Sequence, residues 1–288
     1  MVDFVQALVD GVMLGATYSL LGLGFTLIFG VLRRLNLAFG PTILVGIYAG
    51  SAAHLAWPGW FPAIAGATVG AALVAGAYVE RCAFRVLARQ APVVAMISSF
   101  AVSMQFQELV ALLAPSRTMA YPAAAWLPAV ALGPILLRPD GLFMWGGATL
   151  ITGALFVVLY RTRFGRAVRA MSDSADAASL MGVNVTAIGA AAFLLASGVG
   201  GIAGVLIAAS HQQVTPYFGL WATVKGLTAM LLGGAGSLAG AVVGGLALGV
   251  IEIQALSYLG GQYRDLVAYA LLFLAVALDP RRRGGDDL

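Results

Sequence analysis

Charge is scarce in this chain. Only 10% of its 288 residues are Asp, Glu, Lys or Arg, while 61% are hydrophobic. A soluble domain of this length has no means of covering its surface with so few charges. The sequence therefore reads as a polytopic membrane protein, with a mean hydropathy of +0.94. Cysteine is nearly absent: Cys82 stands alone, which excludes an internal disulfide. There are two histidines, His54 and His211, and no grouping of His, Cys, Asp or Glu at metal-ligand spacing, which argues against a metal site. No GxxxxGK[ST] run occurs, so the chain has no recognisable nucleotide site. The opening MVDFVQALVDG carries acids and no basic region, so it is expected to start the first helix rather than to form a cleaved signal peptide.

Apolar runs and glycine, with 37 residues, are plentiful. A helix needs about 20 apolar residues to cross roughly 30 Å of hydrocarbon. Nine stretches are candidates: residues 4–31, 40–57, 62–80, 93–114, 142–160, 187–210, 219–234, 237–258 and 263–279. The seventh is expected to be short or re-entrant, because Gly233, Gly234 and Gly236 interrupt it. Basic residues orient the bundle. Arg33 and Arg34, then Arg81, Arg85 and Arg89, then Arg161, Arg163, Arg166 and Arg169, then Arg281, Arg282 and Arg283 follow alternate stretches. Placing these ends in the cytoplasm puts the N-terminus outside and the C-terminus inside. It also explains the basic pI of about 9.5 without invoking nucleic acid. The longest outer loop, residues 115–141, is rich in Pro and Ala and carries Tyr121 and Trp126. It is expected to hold a short interfacial helix and to offer a docking surface to an external partner. Without a short fixed-period repeat, residues 1–288 read as a single membrane domain.

Ionisable groups inside apolar stretches are costly, at about 2.5–3.5 kcal/mol for a central charge on insertion scales. Glu108, Lys225 and Glu252 each lie about six residues from an outer end, roughly 9 Å deep at the helical rise. Gln105, Gln107 and Gln254 lie near the same level. Lys225 is placed to pair with Glu252 across the seventh and eighth stretches. Structural pairing and the polar wall of a transport path are both compatible with this pattern. Gly236, Gly240 and Gly244 form GxxxGxxxG, with Gly245 and Gly249 on a second ridge. Small residues at this spacing let helix backbones approach closely. A helix break at Gly233 and Gly234 beside a transport path is the alternative. Ser237 has no base within evident reach, which disfavours a membrane hydrolase.

The polar island at residues 161–186 opens on four arginines. Asp173 is expected to cap a short helix, with Asp176 in its first turn complementing the dipole. Ala175, Ala177, Ala178, Leu180 and Met181 supply a small apolar face, and Gly182 ends it. Two turns are marginal alone in water. Such a helix gains order by docking onto a partner or onto its own membrane domain; a positive-inside loop without a partner is the plainer reading.

Several segments together resemble the permease subunits of branched-chain amino acid ABC importers. The stretch GATYSLLGLGFTLIFGVLRRLNLAFG is similar to that family's first-span signature, with Asn36, Leu37, Ala38, Phe39 and Gly40 at the place of Asn-Phe-Ala-His-Gly. Glu80, Arg81, Phe84 and Arg85 resemble its Glu-Arg…Tyr-Arg stretch. Asp176, Ala177 and Ala178 stand where the family has Glu-Ala-Ala, with Met181 and Gly182 following. LLGGAGSLAGAVVGG is similar to its Gly-Gly-x-Gly-Ser-x-x-Gly-Ala motif.

The resemblance implies an all-α helical permease fold shared with ribose and other sugar importers. It implies a coupling helix for an ATPase at Asp173, Ser174, Ala175, Asp176, Ala177, Ala178, Leu180, Met181 and Gly182. The implied partners are a second, often non-identical, permease, two cytoplasmic ATPases that bind ATP and Mg, a periplasmic binding protein and the bacterial cytoplasmic membrane. The chain itself is then no enzyme and binds no cofactor. Asn36, Gln105, Glu108, Lys225, Glu252 and Gln254 become candidates for the translocation path or gate. The implied cargo is a branched-chain or other hydrophobic amino acid; urea, short amides and aromatic solutes are carried by similar systems. A stand-alone channel or secondary transporter is the competing class, and it predicts an inverted repeat.

Overall fold

The computed structural model describes residues 2–88, 90–114, 118–123, 130–132 and 135–277. Arg89, Arg281, Arg282 and Arg283 of the basic clusters and Trp126 of the outer loop lie outside the described residues. The helices are α1 (Val2–Leu32), α2 (Phe39–Ala56), α3 (Phe61–Val79), α4 (Pro92–Leu113), α5 (Pro139–Arg161), α6 (Arg163–Asp173), α7 (Ala175–Leu180), α8 (Val185–His211), α9 (Phe218–Leu232), α10 (Leu238–Leu259) and α11 (Arg264–Ala277). Among the described residues, seven helices are long and apolar enough to cross a membrane: α1, α2, α3 with its continuation to Arg85, α4, α5, α8 and α10. The chain is thus a multi-pass helical membrane protein. The seventh and ninth expected stretches form the shorter helices α9 and α11, of 15 and 14 residues. Nine full crossings therefore do not follow from helix length.

The α1 helix is the central post, with 89% of its apolar window buried, whereas α5 at the rim has 22%. Small residues let α10 lie directly on α1: a Cβ at Gly249 would overlap Gly15, and one at Gly245 would overlap Ser19. On the other side of α10, Gly240 meets the Gly233 carbonyl and Gly244 meets Ala229, closing the α9–α10 hairpin. Gly236 has a different role from its neighbours in the GxxxGxxxG run. It precedes α10 in open space with φ +91°, and Gly234 has φ +90°, so both serve the turn. Ser237 caps α10 by accepting a hydrogen bond from the Gly240 amide at 3.0 Å.

After α1 the chain turns back into the bundle. Residues 33–38 are not helical. They bring Phe39 edge-on to Phe25, with centroids 4.8 Å apart, and Gly40 against the Gly219 carbonyl at the start of α9. Arg34 donates to the carbonyls of Leu87, Ala88 and Gln90. It thereby holds the segment that follows the π-helical turn Glu80–Arg85, itself a continuation of α3.

In the long loop, strands appear where an interfacial helix was expected. β1 (Met119–Ala120) pairs antiparallel with β4 (Gln213–Val214), and β2 (Val130–Leu132) pairs with β3 (Ile135–Leu137). The hairpin is fastened to α1 by Gln6, whose amide both donates to and accepts from the Leu136 backbone at 2.9 Å. Beside β1, Tyr121 meets the Thr68 hydroxyl at 2.9 Å, and burial pushes its phenol up to about 12.

Candidate functional site

The polar island folds as two helices. Thr162 opens α6 by accepting from the Gly165 amide at 3.1 Å. Gly165, Val168 and Met171 turn inward, with Phe164 packed beside them. The spacing of Phe164, Val168 and Met171 is the helical signal that the arginine-rich composition obscured. One of the four island arginines has a structural role. Arg169 donates to the Leu159 carbonyl and sits 5.0 Å from the Tyr160 ring centre. Arg33, at the end of α1, donates to the Ser172 carbonyl at 2.6 Å.

The next helix, α7, departs from the expected capping. Asp173 is the last residue of α6; Ser174 is the cap of α7, accepting from the Ala177 amide at 3.2 Å. Asp176 lies in the first turn as expected. The helix closes with the Gly182 amide on the Ser179 carbonyl and the Val183 amide on the Ala178 carbonyl, at 3.0 and 3.1 Å. This paired closure needs a left-handed residue, and Gly182 has φ +83°. The small apolar face divides in two. Ala178 is buried against the bundle, while Leu180 and Met181 are 89% and 85% exposed at the tip. Ala175 and Ala177 are exposed beside them.

Of the candidate residues within the membrane, the structure brings Lys225 and Glu252 together. Lys225 Nζ lies 2.9 Å from Glu252 Oε2 and 3.0 Å from Asp265 Oδ1. Arg264 pairs with the other Glu252 oxygen, which also accepts from the Tyr18 hydroxyl at 3.0 Å. Lys225 further lies 5.7 Å from the Trp221 ring centre. Two cations and two carboxylates therefore balance, with Lys225 and Glu252 at 1% and 0% exposure. Tyr18, Arg264 and Asp265 are members that the sequence reading missed, though the Arg-Asp pair at the head of the ninth stretch was a visible signal.

The other candidates stand apart from this cluster. Glu108 is not a neighbour of Lys225 or Glu252: it is exposed on α4 and, among the described residues, has neither an ion pair nor a hydrogen bond. Gln105, also exposed, accepts from the Tyr78 hydroxyl at 3.3 Å. Gln254 reaches the Phe4 carbonyl at 3.4 Å, leaving its own side-chain oxygen without a partner. Asn36 is buried in the non-helical segment; its oxygen accepts from the Ala38 amide at 3.0 Å, and its amide nitrogen is unpartnered. Near the start of α1 and α5, Asp10, Arg138, Asp140, His211 and Arg264 line an open cavity of about 440 Å³.

Residues 7–276 match a protein family described as the permease component of the branched-chain amino acid transport system. The high-affinity branched-chain amino acid permease LivH of Escherichia coli K12 is 33% identical, covering 96% of this chain and 94% of that protein. BraD of Pseudomonas aeruginosa, a permease with the same description, is 30% identical over the same shares. In fold, the chain is similar to a metal-chelate type ABC transporter solved in an inward-facing conformation. The TM-score is 0.55 at 16% identity, covering 95% of this chain and 85% of that one. Near-complete coverage in sequence and in fold shows that this chain belongs to the family of branched-chain amino acid transport permease components.

Proposed function

We propose that this chain is the membrane-spanning permease subunit of an ATP-driven importer for branched-chain or other hydrophobic amino acids. The carrying observation is α7: a capped and closed two-turn helix, held on α6 and α8, that presents Leu180 and Met181 to solvent. A helix this short is not stable in water by itself. Two exposed apolar side chains on a braced helix are suited to a groove on another protein, each worth about 1.5–3 kcal/mol when fully buried. An ATPase is the partner this reading assigns to them, acting through the contacts of residues 173–182. ATP and Mg belong to that subunit. Closure of two such ATPases favours the permease conformation in which α7 makes the better contact, since a shift needs a difference in interaction between states.

The same reading supplies a second permease, non-identical to this one, and a periplasmic binding protein that seats over the outer loop. It places the chain in the bacterial cytoplasmic membrane with the N-terminus outside. The family and the descriptions of LivH and BraD support the cargo. Co-purification with the ATPases tests the coupling assignment. Asp176→Lys and Gly182→Trp are each expected to remove ATPase binding and amino acid uptake while the permease still inserts. Retained binding and uptake in both variants would defeat the assignment. Competition of leucine uptake by urea and by phenylalanine tests the cargo: strong competition by urea overturns it.

A further inference from the structure

α4 and α5 are both rim helices, and their outward faces differ in chemistry. α5 shows Trp145, Leu150, Val157 and Tyr160 outward and carries no charge between Asp140 and Arg161. That face suits lipid. α4 shows Ile97, Phe100, Met104 and Leu112, but Gln105 and Glu108 are exposed among them. These two are neighbours on the helix surface at a spacing of three, and the Tyr78 hydroxyl extends the polar line onto α3. Glu108 lies five residues before Leu113, about 8 Å along the axis, and Gln105 about 12 Å. A carboxylate facing hydrocarbon there is expensive, and a glutamate has a shorter reach to the interface than Lys or Arg. Inside its own chain, Glu252 avoids that cost with Lys225, Arg264 and Tyr18. Among the described residues, Glu108 has no such neighbours.

We propose that the α3–α4 face is the wall of an aqueous path shared with the second permease, and that Glu108 receives the ammonium group of the passing amino acid. The inference rests on the importer reading above and adds to it a face and a recognition residue. An unpaired carboxylate beside a side-chain amide and a phenol offers a cation one charged and two neutral acceptors. A zwitterion with an apolar side chain fits that set, with its side chain against Met104 and Phe100. A charge-assisted hydrogen bond to the ammonium group is stronger than one between neutral partners.

Two measurements on the assembled importer test it. In a Cys82→Ser background, Glu108→Cys is expected to react with a charged, membrane-impermeant thiosulfonate at least about tenfold faster than Leu150→Cys, a factor equal to ~1.4 kcal/mol. Equal, slow labelling of both would overturn the aqueous face. Glu108→Gln is expected to leave assembly and binding-protein-stimulated ATP hydrolysis unchanged while leucine moved per ATP falls by about tenfold, with Glu108→Asp recovering most of it. Unchanged leucine per ATP in Glu108→Gln overturns the recognition role. If the cysteine variant does not assemble, the glutamine variant alone decides. Failure of the wild-type chain to bind an ATPase is a separate result, and it counts against the importer reading rather than against the face.

Discussion

The interior between α9, α10 and α11 and the exposed surfaces of α4 and α7 treat unfavourable groups in opposite ways. In the interior every charge is answered within the chain: Lys225 by Glu252 and Asp265, Glu252 by Arg264 and Tyr18. On the two surfaces the groups are left unanswered. Among the described residues, Glu108 is a charge without a counter-charge, and Leu180 and Met181 are apolar side chains without cover. A closed cluster serves the fold. An open one points to whatever the chain meets. The contrast implies that substitutions in the cluster act on stability, whereas those on α4 and α7 act on assembly or transport.

The largest effect is expected from breaking the cluster. Lys225→Met leaves Glu252 with Arg264 and Tyr18 but strips the half-exposed Asp265 of its cation, an expected loss of about 2–3 kcal/mol, below the roughly 3–5 kcal/mol of a fully buried broken pair. Thermal unfolding in detergent, or yield of inserted protein, reads this loss. The double variant Lys225→Met with Glu252→Gln keeps Arg264 and Asp265 in balance and is expected to regain most of the stability. A Lys225→Met protein as stable as the wild type would break the contrast outright. A smaller effect is expected at Gly182. Alanine there must hold the left-handed conformation at φ +83°, at a cost of roughly 1–2 kcal/mol. Faster hydrogen exchange confined to α7 is the expected signature. Next comes the cap: Ser174→Ala should cost about 1 kcal/mol of α7 stability, and Asp173→Ala clearly less, because Ser174 accepts the amide hydrogen bond. The reverse order would restore Asp173 as the cap.

What was legible in the sequence follows from how local each cause is. Apolar runs needed only a window of residues, and seven of the nine stretches are long enough to cross. Lys225 and Glu252 were placed together because both depths could be counted from neighbouring helix ends. Glu108 was given the same depth, but depth does not fix the direction a residue faces, and α4 points it away. Tyr18 joins the cluster from a helix 234 residues distant in sequence, which no local pattern encodes. β1 was likewise unreadable, since its partner β4 lies beyond α8. Asp173 and Ser174 are both good capping types. Only the end of α6, hidden by its arginines, decides between them.

The smallest stability effect, and the most informative, is expected at the tip of α7. Leu180 and Met181 are already in water, so replacing both with Ser removes little packing. The unfolding midpoint should reflect a change within about 0.5 kcal/mol, as for other surface positions. ATPase capture is expected to fall steeply, because the same two side chains supply the apolar area to be buried in the groove. Hydrogen exchange across residues 175–180 should stay as in the wild type, since Ser174 and the Gly182 closure still hold the helix. Loss of capture with an intact α7 separates contact from folding, which Gly182→Ala cannot do. Unchanged capture would mean that the exposed tip is incidental and that the ATPase grips elsewhere, leaving only α4 as an open surface with a purpose.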